Sequence, residues 1–176
     1  MLMSYYGPSV IIAKEMGLGE TEEQYLFPER KHWDECVEFV TELLDEAAEL
    51  MQPTTTPARL GHATSVAALA LKARILLYSA SPLVNGNSEF YSQFKNSRGE
   101  HLIPQSYDKE KWKTALDAIE EAITLAEESG HELYQNASAA TLPNRDRGEI
   151  NYHDLFVEPE WINNREYLWG LSRIHI

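Results

Sequence analysis

The chain has 176 residues, with 28 acidic against 15 basic side chains and a formal net charge of −13. That length is enough for one domain with a sizeable core, and the charge argues against nucleic acid, since an acidic surface repels phosphate. No stretch reaches the ~18 consecutive apolar residues of a membrane-spanning helix, the first residues do not read as a charged-then-apolar leader, and the single cysteine, Cys36, leaves no internal disulfide.

In chain order, Met1-Leu-Met-Ser-Tyr-Tyr reads as the tail of a helix already in progress. The first long helix is predicted over Lys31 to Met51. Trp33, Cys36, Val37, Val40, Leu43, Leu44, Ala47, Ala48 and Met51 recur there in steps of three and four, which puts them on one face. The other face carries Asp34, Glu35, Glu38, Glu42, Asp45, Glu46 and Glu49 and reads as solvated. Cys36 reads as a small buried apolar residue. Pro53 and Thr54-Thr-Thr-Pro57 interrupt the chain.

The stretch from Gly61 to Asn85 is predicted as a central helix. Ala63, Ala67, Ala70 and Ala73 would line one side, widened by Ala68, with Leu69, Leu71, Ile75, Leu76 and Leu77 around the rest. A helix apolar nearly all round is buried on several sides, and small residues let neighbouring helices approach. Thr64 is a candidate N-cap, His62 a surface or capping residue, and Pro82 a stop. Leu83 to Ser106 reads as a long polar loop containing Phe90, Tyr91 and Phe94. A third helix is predicted over Asp108 to Ser129, with Asp108 as N-cap, a buried stripe of Trp112, Ala115, Leu116, Ile119, Ala122, Ile123 and Ala126, and Gly130 just past the end. Ala137 to Ile176 is rich in Asn, Pro and aromatics and reads as irregular, with one short strand over Arg165 to Ser172. The expected fold is therefore all-α, an α-solenoid of helix pairs with long irregular loops.

Several of these segments carry a resemblance. The run Ala67-Ala-Leu-Ala-Leu-Lys-Ala-Arg-Ile-Leu-Leu-Tyr-Ser-Ala-Ser-Pro-Leu, closing on Asn85, resembles the hallmark segment of the SusD/RagB family. Tyr5-Tyr-Gly-Pro-Ser-Val-Ile-Ile, Phe27-Pro-Glu-Arg with Trp33-Asp-Glu-Cys-Val-Glu-Phe-Val, Tyr107-Asp-Lys-Glu-Lys-Trp-Lys-Thr-Ala, Leu155-Phe and Arg165-Glu-Tyr-Leu-Trp are similar to its other segments in the same order. Trp112 with Ala115, Ala118 and Ala122 is similar to the tetratricopeptide units for which that family is known. The resemblance implies a nutrient-binding lipoprotein on the outer membrane surface that captures oligosaccharide and hands it to a TonB-dependent, SusC-like β-barrel transporter. It also implies that residues 1–176 are a single SusD/RagB-like region, an internal piece with the export signal and anchor outside it, and that Arg173-Ile-His-Ile departs from the family pattern.

The residues themselves show no HExxH, GxxxxGK or GxSxG, and the six histidines have no ligand spacing. No catalytic residue, metal ligand or cofactor is expected. Sugars offer apolar faces that stack on aromatic rings and hydroxyls that pair with planar polar groups, so aromatics among Asn, Asp and Arg are the material of a glycan platform. Trp161, Tyr152, Tyr91 and Asn163 are the candidate glycan-binding residues, Trp161 first because its neighbours are polar. Trp33, Trp112 and Trp169 are expected in the core. A helical scaffold for protein partners, or capture of peptides, is the alternative.

Overall fold

The computed structural model describes residues 2–12, 28–56, 59, 61–157, 164–166 and 168. It is all-helical: α1 (Leu2–Tyr6), α2 (Trp33–Leu50), α3 (Ser65–Ala80), α4 (Ser88–Tyr91), α5 (Glu110–Glu128), a 3-10 turn (Ala137–Ala139) and α6 (Asn144–Val157). Among the described residues the only β pairing is an isolated bridge between Lys95 and His101. This is the helical-repeat architecture expected from the sequence.

The centre of the array is α3, packed between α2 and α5. Thr64 caps it as expected, its side chain accepting from the Ala67 amide at 3.1 Å. The alanine stripe lies elsewhere, however. Ala63 precedes the helix and is exposed, Ala67 and Ala70 are half-buried, and the deep face is Ser65, Val66, Ala68, Leu69, Ala73, Ser79 and Ala80. Leu71 and Leu77 remain exposed, so the helix is covered on two sides rather than all round. On α5 the buried residues are Ala115, Ala118 and Ala122. Small side chains on both surfaces bring the two backbones close.

That close approach corrects the expectation for Trp112, which is 41% exposed. Once the alanines face α3, Trp112, Leu116 and Ile123 fall on the flank of α5, and all three stay open to solvent. Trp33 is core as expected, 3% exposed, with its indole N–H donating to Ser79 Oγ at 3.1 Å across the α2–α3 contact. Lys72 spans the array, its ammonium 2.7 Å from Asp45 of α2 and 3.7 Å from Glu121 of α5.

The stretch predicted as a polar loop is partly core. Val84, Leu102 and Ile103 are buried, and Val84 and Ile103 join Trp33 and Val37 in one cluster against which Tyr91 and Phe94 pack. The Leu102 carbonyl accepts from the Trp33 amide, and the Leu102 amide donates to Phe94. Arg30 fastens the N-terminal segment to this layer. It donates to the Pro8 carbonyl at 2.7 Å and to the Tyr6 carbonyl, and its guanidinium lies 5.2 Å from the Phe94 ring centroid.

Asn85, the last residue of the signature, is buried and joins α3 to α5. Its amide donates to the Ala80 carbonyl at 3.2 Å and to the Asp108 carbonyl at 2.7 Å, and its carbonyl accepts from the Asp108 amide at 3.0 Å. Gly86 follows at φ +79°, and a Cβ there would lie 2.3 Å from the Tyr107 amide nitrogen, so only glycine fits. The N-cap position of α5 falls to Lys109, without a side-chain cap bond, and not to Asp108 as expected; Asp108 closes the turn just before it, accepting from the Glu110 amide at 2.9 Å. Gly130 takes the left-handed conformation past its end, φ +85°.

A further helix, α6, replaces the irregular structure predicted beyond residue 137. Its pattern is weakly amphipathic and none of its residues is buried, so it carries little of the periodicity by which a helix is recognised in sequence. Of the predicted strand, Arg165 and Glu166 form a turn, and the stretch from Trp169 onward lies outside the described residues.

Candidate functional site: an aromatic corner on α6

Two of the predicted binding residues, Trp161 and Asn163, lie outside the described residues, as does Trp169. The other two are placed in different surroundings, and both sit on helices rather than irregular segments. Tyr91 ends α4 and is half-buried, its ring 6.0 Å from that of Phe94 on the edge of the core. Tyr152 stands on α6 and is 71% exposed.

A second ring, not among the predicted binding residues, lies beside it. Phe156, one turn further along α6, is also 71% exposed, and the two ring centroids are 5.3 Å apart with planes at 70°. Together they form an edge-to-face aromatic corner open to solvent. The i, i+4 spacing was visible in the sequence, but it acquires meaning only once the segment is known to be helical.

The opposite face of α6 is polar and holds the helix in place. Asn151 Oδ1 accepts from the Asn136 amide at 2.9 Å, and Asp154 accepts from the Asn136 side chain at 2.5 Å and from His153 Nδ1 at 2.9 Å. The hydrogen bond from His153 and, second, that from Asn136 hold the Asp154 carboxyl below its ordinary value. Further on, Asn164 donates to the Leu155 carbonyl at 3.3 Å. Arg165 pairs with Glu132 at 3.0 Å, and Glu166 accepts from the Tyr134 amide at 2.9 Å.

A concavity of about 350 Å³ lies apart from this corner, between α2, α3 and α5, lined by Asp34, Val37, Leu76, Ser79 and Lys111 among others. Lys111 reaches Asp34 at 2.5 Å, which occupies its ammonium, and Glu38 adds a further carboxylate to the lining. Cys36 is buried, 3.5 Å from the Ser9 carbonyl, and burial raises its thiol pKa, which keeps it a protonated packing residue. Among the described residues no three His, Cys, Asp or Glu side chains are grouped to hold a metal ion, and no helix is long and apolar enough to cross a membrane.

No protein-family profile and no curated protein matches the chain. Solved structures do. The chain is similar to BT4246 from Bacteroides thetaiotaomicron, with 34% sequence identity and a TM-score of 0.78 over 97% of its own length. It is equally similar in sequence to the selenomethionine form of BT4246, at 34% identity and a TM-score of 0.71. The match takes up 32% of BT4246, so the chain spans about a third of that protein's length.

Proposed function

We propose that this chain is part of a SusD/RagB-type nutrient-binding protein that captures oligosaccharide at the outer membrane surface without chemistry. In that role it would be held by a lipid anchor and deliver the glycan to a TonB-dependent, SusC-like β-barrel transporter. The observation that carries the reading is the behaviour of the signature segment. The residues from Ala67 to Asn85 that resemble the family hallmark form the central helix and the amide clamp on which α5 is mounted, within a structure similar to BT4246 over nearly the whole chain. An exposed aromatic corner supports the ligand class, since a ring pair open to solvent suits the apolar face of a sugar. Binding by stacking and hydrogen bonds alone fits a cargo that must leave again.

The test is titration of the purified full-length protein with neutral and acidic oligosaccharides, followed by isothermal calorimetry. Saturable binding of a sugar supports the reading, and a flat response across the panel overturns it. A helical scaffold for protein partners remains the second reading, favoured by the solvent-exposed stripe of Trp112, Leu116 and Ile123 on α5. Co-purification with a protein other than a β-barrel transporter, together with a flat sugar titration, would select it.

A further inference from the structure

Gly148 lies near the middle of α6 and has no structural reason to be glycine. Its φ is not positive, and a Cβ built on it would meet nothing within 4 Å. A glycine inside a helix is less favourable than alanine because it restricts the unfolded chain less. Here that penalty is offset by no tight packing and no turn. Gly148 is, however, the residue one turn before Tyr152, and helical side chains lean toward the N-terminal turn. Tyr152 leans toward that turn, and no atom of its ring comes within 4 Å of where a Cβ at 148 would lie, so the space there is open.

We infer that Gly148, Tyr152 and Phe156 form a binding platform for one neutral pyranose ring, with Gly148 keeping its floor clear. This rests on the glycan reading above and assigns it a site and a sugar class. One ring of the corner stacks on the apolar face of the sugar while the other closes its edge. Glu149 and His153, one turn apart and both exposed, flank the rings on one side. The Glu149 carboxylate can accept from a pair of neighbouring sugar hydroxyls, and His153, engaged with Asp154 through Nδ1, has its Nε2 on the opposite side of the ring. The carboxylate at 149 and a chain of net charge −13 disfavour a uronic acid at the same place.

The test uses the full-length protein, neutral hexaoses of glucose, mannose and xylose, and galacturonic acid oligomers as the charged probe. Gly148→Leu should weaken binding of the preferred neutral hexaose about tenfold while leaving the melting temperature unchanged or raised, a combination that a purely structural glycine would not give. Tyr152→Ala should weaken it as much with the melting temperature unchanged. If the unsubstituted protein binds no sugar, both the glycan reading and this site fail. Unchanged affinity in both variants, in a protein that does bind a neutral hexaose, overturns the site alone. Preference for the galacturonate oligomers overturns the sugar class, and a large fall in melting temperature in Tyr152→Ala assigns that ring to packing.

Discussion

The α2–α3–α5 array and the α6 unit are both helical, yet they are held together by different means. In the array, alanine faces bring α3 against α5, and Trp33, Val37, Val84 and Ile103 close a core around a buried amide clamp. On α6 no residue is buried; among the described elements it packs only against the 3-10 turn, through Asn136, Asn151 and Asp154. The first kind of contact hides side chains and leaves little surface for a ligand. The second leaves two aromatic rings free. A helix tethered by its polar face can present paired aromatic rings to solvent without weakening the core, whereas the array exposes apolar side chains on the flank of α5.

The comparison is broken most severely at Asn85. Replacing it by alanine strands the Ala80 carbonyl in a buried place and takes the partner from the part-buried Asp108 carbonyl and amide. A destabilisation of about 3 kcal/mol is expected, on the order of one to two buried polar groups left unpaired. Urea denaturation followed by tryptophan fluorescence measures it. A loss no larger than that of an exposed substitution would mean that the signature residue is not the joint between α3 and α5.

A smaller effect is expected at Lys72. Its ammonium draws Asp45 of α2 and Glu121 of α5 toward α3, but both carboxylates are about half open to water. Lys72→Met keeps much of the alkyl stem and removes the charge, so it should cost about 1 kcal/mol. The loss should shrink when salt is added, since screening weakens such pairs. A salt-independent loss would assign the residue to packing instead.

How much of this was legible in sequence follows the same division. The array was readable because its helices bury a periodic face: Trp33, Cys36 and Val37 fall where the pattern put them, and the Thr64 cap and the Gly130 stop are local chemistry. The rotation of the α3 face and the exposure of Trp112 were not readable. Periodicity gives a stripe but does not say that a neighbour made of alanines will settle on its small side. On α6 the failure was complete, because polar and aromatic residues without a buried face produce no period. The exposed aromatic pair is thus half legible in sequence: Tyr152 stands out by its polar neighbours, while Phe156 and Gly148 gain meaning only on the helix.

The subtlest expected effect separates the two regions by pH. In the folded chain the Asp154 carboxyl lies below its ordinary value of 3.8, held there first by His153 and then by Asn136. A group whose pKa is depressed on folding stabilises the fold above its unfolded value, and that contribution disappears as pH falls through the folded value. The share of the α6 tether that Asp154 supplies is therefore intact at neutral and mildly acidic pH and is lost only in acid below about 3.8, while the Asn151–Asn136 bond stays. The Asn85 clamp contains no titrating side chain, so its contribution carries no such limb. Hydrogen exchange of the amides from Asn136 to Val157 should accelerate across that acid range in the native protein. In Asp154→Asn the same amides should already exchange faster at neutral pH and show a flatter acid limb. Identical profiles for the two proteins would mean that α6 is tethered by contacts other than this carboxylate.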